Sequence, residues 1–142
     1  MAKGLATLVR VNEWTVDEKR RALGVLLRQL DDLEMTQQNL ESEVVKEQQS
    51  AAQAPEEAGF LYGIYAEGVI LRRQELDKSI AAKDAEINTA REALNEAYRE
   101  LKKYEVIRDN RQQREQDELT RKDQIALDEL GLETYRRRTK PG

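Results

Sequence analysis

The chain has 142 residues, 24 Lys and Arg against 28 Asp and Glu, and a net charge of −4. It contains neither Cys nor His, which excludes a disulfide framework, a Cys/His zinc site, a thiol nucleophile and an imidazole base. Charged residues make up 37% and aromatics 5%; with Ala, Leu, Glu, Lys and Arg forming more than half of the chain, this composition points to long helices rather than a large globular core.

Helical periodicity begins at Leu5. With Val9 taken as heptad position a, the a series is Val9, Val16, Leu23, Leu30, Gln37, Val44, Ala51, and the d series is Leu5, Asn12, Lys19, Leu26, Leu33, Leu40, Glu47, Ala54. The spacing predicts one helix over 1–53, roughly 75 Å long at 1.5 Å per residue.

The stretch 50–68 holds the one chain reversal that the pattern allows, near residues 54–65. Pro55 opposes a continuing helix, and Gly59, Gly63 and Gly68 weaken any helix on its C-terminal side. Phe60, Tyr62 and Tyr65 lie in the same window. They either plug the end of the hairpin or form a docking tip, and the two roles are compatible. Phe60, Leu61, Tyr62, Ile64 and Tyr65 carry more apolar surface than a reversal needs.

A second heptad runs Val69, Arg73, Leu76, Ile80, Lys83, Ile87, Ala90, Leu94, Ala97, Leu101, Tyr104. After Arg108 the core slots fall to Arg111, Glu115 and Glu118, at the point where an antiparallel partner starting at Leu5 runs out. The expected fold is therefore all-α: two long helices in an antiparallel coiled-coil hairpin, with 1–53 as the first helix, 54–65 as the tip, 66–108 as the paired part of the second helix, and 109–142 as a helical overhang and basic tail. Leu23, Leu26, Leu30, Leu33, Leu40, Leu76, Ile80, Ile87, Leu94 and Leu101 are its expected core. Matching polar seam positions across the pair selects a register in which facing residue numbers sum to 120. It sets Gln37 against Lys83 and Glu47 against Arg73, whereas 113 sets Leu30 against Lys83. Residues 108–124, with ten charged side chains in seventeen, have no face to bury. Arg136, Arg137, Arg138 and Lys140 then read as a solvated tail or as a contact for an acidic partner or lipid.

Catalytic groupings are lacking: there is no P-loop, no G-x-G-x-x-G and no nucleophile elbow. Pairs such as Glu92 and Glu96 have helical spacing, but carboxylate-bridged di-iron sites need four helices and an E-x-x-H pair. No enzyme, cofactor or metal site is expected. The longest apolar run, Ala22–Leu27, is too short to span a bilayer, and the acidic balance, with a pI near 5.1, argues against nucleic acid. With no signal-peptide-like start, the expected location is the cytoplasm.

Charge divides unevenly along the chain. Residues 1–30 carry net +3, 31–60 net −7 and 108–142 net +1, so the open end of the hairpin is mildly basic and the closed end acidic. Trp14, the only Trp, falls at f, the outermost heptad position, with Val11 at c and Arg10, Arg20 and Arg21 nearby. Large aromatic and Arg side chains make good interface anchors; the alternative is a C-terminal segment folded back over Trp14.

Three segments, LATLVRVNEWTVDEKRRALGVL (5–26), REALNEAYRELKKYEVIRDNR (91–111) and the weaker LDELGLETYRRR (127–138), resemble the FliJ family of flagellar type III export proteins; the glycines of 59–68 depart from it. The resemblance implies a non-enzymatic, cytoplasmic, monomeric coiled coil, similar to the central stalk of rotary ATPases and peripheral to the membrane at the flagellar base. It implies binding to the hexameric export ATPase and promotion of its ring assembly, with Arg10, Val11, Trp14, Arg20 and Arg21 as the expected contact. It further implies links to the cytoplasmic part of the export gate and to export chaperones, and hence a role in motility and chemotaxis; the apolar surface of Phe60, Leu61, Tyr62, Ile64 and Tyr65 makes them the expected contact for the gate or a chaperone. Related stalks serve virulence type III secretion. The competing class is a generic coiled-coil scaffold or dimerising adaptor.

Overall fold

The computed structural model describes residues 2–53 and 57–139. Two α-helices account for them, α1 (Ala2–Gln53) and α2 (Glu57–Thr139), with no strand among the described residues. They pack as an antiparallel hairpin, which their apolar stripes dictate: each helix has one narrow seam to remove from water and only the other helix to cover it. The residues between the helices, Ala54, Pro55 and Glu56, belong to the expected tip and lie outside the described residues. From Glu57 onward the chain is helical, so 57–65 is the first part of α2. Gly59, Gly63 and Gly68 are all inside that helix. A glycine weakens a helix by about 1 kcal/mol, which packing along a long seam overcomes.

Two compact units make up the chain, one formed by 1–13 with 99–142 and the other by Trp14–Tyr98. In the Trp14–Tyr98 unit the innermost cluster is Leu40, Val44 and Val69, with Tyr65 and Leu76 packed against it. Val16, Ile87 and Ala97 are also buried. Of the ten expected core residues, Leu40 and Ile87 are buried and Leu23, Leu26, Leu30, Leu33, Leu76, Ile80, Leu94 and Leu101 half-buried. Half-burial is what two helices permit, since each seam residue keeps one flank open to water.

The register differs from the one expected from polar matching. Val44 packs with Val69, Gln37 Nε2 donates to Asp77 Oδ1 at 3.3 Å, and Lys83 Nζ donates to Gln29 Oε1 at 2.8 Å. Arg73 forks onto Glu41, with Nε to Oε1 and Nη2 to Oε2 both at 2.7 Å, and Arg72 lies 3.7 Å from Glu43. The residue numbers of these pairs sum to between 112 and 115, so the pairing sits one heptad below 120, at the alternative that placing Leu30 opposite Lys83 had argued against. The reason is the length of lysine. Lys83 lays its methylene stem in the seam, where its side chain is 19% exposed, and carries the ammonium out to Gln29 and to Glu86 at 3.1 Å. A long cation needs a polar group within reach of its tip, not directly across the seam. Glu47, placed opposite Arg73 by polar matching, is exposed instead.

In the other unit Val9 is buried and Leu5, Leu101, Tyr104 and Arg108 are half-buried. Asn12, a polar d position, satisfies its amide locally by donating to the Leu8 carbonyl at 2.7 Å. From Asp109 to Thr139 α2 continues as helix with every described side chain exposed.

Candidate interaction surfaces

The α1 residues expected at an ATPase contact fall in both units. In the unit that includes 1–13, Arg10 and Val11 are exposed. In the Trp14–Tyr98 unit, Trp14 is 61% exposed and Arg21 exposed, as the outermost helix position requires. Arg20 has a different environment: its Nε donates to the Tyr98 hydroxyl at 2.6 Å, its Nη2 donates to the same oxygen, and its guanidinium lies 5.2 Å from the Tyr98 ring centroid. Asp17 completes its surroundings at 3.8 Å. Arg20 thus clamps α1 to α2, a job its sequence position on the flank of the seam predicts only once the pairing is known.

The five aromatic and aliphatic residues expected at the tip divide in two. Phe60, at 75% exposure, Leu61 and Ile64 face water. Tyr62 and Tyr65 are half-buried, their ring centroids 6.1 Å apart and tilted by 43°. With Glu47, Ser50, Ala51 and Leu61 they line a groove of about 280 Å³ between the helices. The Tyr65 hydroxyl is enclosed and makes no hydrogen bond among the described residues. Burial, followed by the charges of Glu43 and Glu47, pushes its ionisation above the usual phenol range. Tyr62 and Tyr65 therefore serve the packing, and Phe60, Leu61 and Ile64 the surface.

Two further apolar residues join the exposed set, Ile70 and Leu71. Phe60, Ile64 and Leu71 follow one another at helical spacing on one side of α2, with Gly68 between them and the buried Val69 opposite. Sequence reasoning overlooked Ile70 and Leu71 because it ended the tip at residue 65; a helical wheel carried through the glycines brings them in. The result is an apolar patch on the outside of a helix, beside the acidic end of α1. Among the described residues there is no group of three or more acidic side chains disposed to hold a metal ion, and no helix is long and apolar enough to cross a membrane. These surfaces are suited to binding protein by shape, apolar contact and charge.

The family model for the flagellar FliJ protein matches residues 1–140. Two curated relatives, each named flagellar FliJ protein and from the NA1000/CB15N and ATCC 19089 strains of Caulobacter vibrioides, are each 31% identical over 107 residues, 75% of this chain and 76% of theirs. No solved structure matches the chain. With a match along almost its whole length and relatives of the same extent, the chain belongs to the flagellar FliJ protein family.

Proposed function

We propose that this chain is a non-enzymatic coupling component of the flagellar protein export apparatus, working as a stalk between the hexameric export ATPase and the export gate with its chaperones. Family membership supports the apparatus. The observation that carries the finer assignment lies in the Trp14–Tyr98 unit, where large apolar side chains are exposed at both ends of one helical pair, Trp14 at one and Phe60, Leu61 and Ile64 at the other. A helical pair with an anchor at each end bridges two partners without needing a pocket or a reacting group. In this reading Trp14 and Arg21, with Arg10 and Val11 further along α1, meet the ATPase and promote ring assembly, while the Phe60 patch meets the gate or a chaperone at the cytoplasmic face of the membrane.

A fluorescence and activity titration tests the ATPase arm. Adding the hexameric ATPase blue-shifts the emission of Trp14, and Trp14→Ala keeps its helicity but no longer stimulates ATP hydrolysis by the ring. A Trp14→Ala chain that stimulates normally removes this residue from the contact. The other arm is read by a gate pull-down, in which Phe60→Ser with Ile64→Ser weakens capture while the melting temperature holds.

A further inference from the structure

A second seam runs along α2 and faces water. Phe60, Ile64, Glu67 and Leu71 follow one another at four, three and four residues, the spacing of the buried seam, on the flank opposite Val69. All four belong to the Trp14–Tyr98 unit and all are exposed, Ile64 at 58% and Leu71 at 61%. Gln74 and Lys78 continue the spacing and end its apolar part. From Phe60 to Leu71 the seam is about 16 Å long at 1.5 Å per residue. Gly63 and Gly68 lie along its two edges, and a Cβ at either meets nothing within 4 Å. The backbone is therefore low on both sides of the seam, leaving room for the long side chains of a partner.

Glu67 is the charged member of this apolar run, and it has no cation. The residues three and four away from it, Gly63, Ile64, Ile70 and Leu71, are glycine or apolar, so no ion pair within α2 is open to it. Arg72 and Arg73 turn to α1 instead, Arg72 to Glu43 at 3.7 Å and Arg73 to Glu41 at 2.7 Å. Among the described residues the Glu67 side chain makes no hydrogen bond or ion pair. A partner that covers Phe60, Ile64 and Leu71 covers Glu67 as well, and a carboxylate taken out of water without a cation opposes binding strongly. A wholly apolar partner fails on that requirement. So does an anionic lipid or nucleic-acid surface, the more so beside residues 31–60 with their net −7.

We propose that this outward seam docks an amphipathic helix of a partner protein whose apolar stripe carries one lysine or arginine, and that Glu67 selects it. The inference rests on the reading of the Phe60 patch as the gate or chaperone contact, and adds the chemistry of what binds there. The occupant is a helix because the four–three spacing accepts the side chains of another helix as knobs in holes. It is basic because Glu67 fills a core slot of the seam and has no cation of its own. One polar residue in such a seam fixes partner and register by making the wrong partner costly.

Fluorescence anisotropy of labelled helical peptides titrated with the full chain tests the selection. Each peptide has about 20 residues, enough to form a helix, and a leucine stripe whose central slot holds lysine, glutamine or glutamate. The expected result is that the lysine peptide binds about tenfold or more tighter than the glutamate peptide, with glutamine between them. Glu67→Lys reverses that order, and Phe60→Ser with Ile64→Ser loses all binding. Glu67 is exposed on a helix, and an unchanged melting temperature confirms that Glu67→Lys folds. Equal binding of the peptides, no binding of any, or an order that Glu67→Lys leaves unchanged overturns the proposal. So does a dimer in sedimentation equilibrium, or capture by phosphatidylglycerol vesicles, that Phe60→Ser with Ile64→Ser abolishes; the occupant is then a second copy or lipid. If the peptides sort as expected but the chain captures neither gate nor chaperone, the gate reading falls and the preference for a basic helix stands. If gate capture is lost with Phe60→Ser and Ile64→Ser while the peptides do not sort, the preference alone falls.

Discussion

Arg73 and Glu41 show how one exposed pair matters without deep burial. The guanidinium fork meets both carboxylate oxygens, and this hydrogen bonding, with a smaller contribution from the Arg73 charge, holds the Glu41 carboxyl below its ordinary value of 4.5 against the opposing effect of desolvation. A folded-state value below the unfolded one means that the pair's stabilisation is complete above 4.5 and is lost as pH falls through Glu41's own lower value. Glu41→Gln therefore lowers the melting temperature modestly at neutral pH, and the gap to the unmodified chain closes as the solution is acidified through Glu41's own lowered value. Thermal melts of both proteins across that range check it; a gap that persists in acid shows that Glu41 acts by packing. Lys83 teaches a related lesson, since its charge leaves the seam while its carbon stem stays.

At the scale of the element, α2 is instructive because it runs through three glycines that local propensity disfavours. A Cβ added at Gly59, Gly63 or Gly68 meets nothing within 4 Å, so none is required by close packing within the chain. Gly63→Ala is expected to stabilise by up to about 1 kcal/mol through helix propensity, raising the melting temperature without changing the secondary structure. Gly68→Ala should do the same, and its methyl falls beside the Phe60–Leu71 patch. A variant that melts higher but loses gate or chaperone capture separates the role of the small residue in binding from its cost to the helix. A lower melting temperature for Gly63→Ala would show that this part of α2 is not held as a regular helix.

For the molecule as a whole, the decisive variable is the register between the helices. Val44→Cys paired with Val69→Cys, whose parent side chains share the innermost cluster, should cross-link readily on oxidation of the folded protein. Leu33→Cys with Ile87→Cys, the pair favoured by the 120 register, should not. Efficient trapping of the second pair alone would restore polar matching as the rule for this hairpin.

The seam positions were legible in the sequence because helical period is a local property. Leu23, Leu30, Leu40, Leu76, Ile80 and Ile87 take the inside from spacing alone, and so do the polar members Asn12, Gln37 and Lys83, all of which are half-buried. The outward aim of Trp14 comes from the same arithmetic. Tertiary structure alone decided which heptad faces which, because every shift by seven preserves the pattern and the choice rests on how far long side chains reach: Lys83 to Gln29, Arg73 to Glu41, Arg20 to Tyr98. It also decided that Tyr62 and Tyr65 turn inward while Phe60 and Ile64 turn out. A glycine-rich window admits a loop or a helix on local grounds, and only the packing of Val69 and Leu76 against α1 carries the helix back through it.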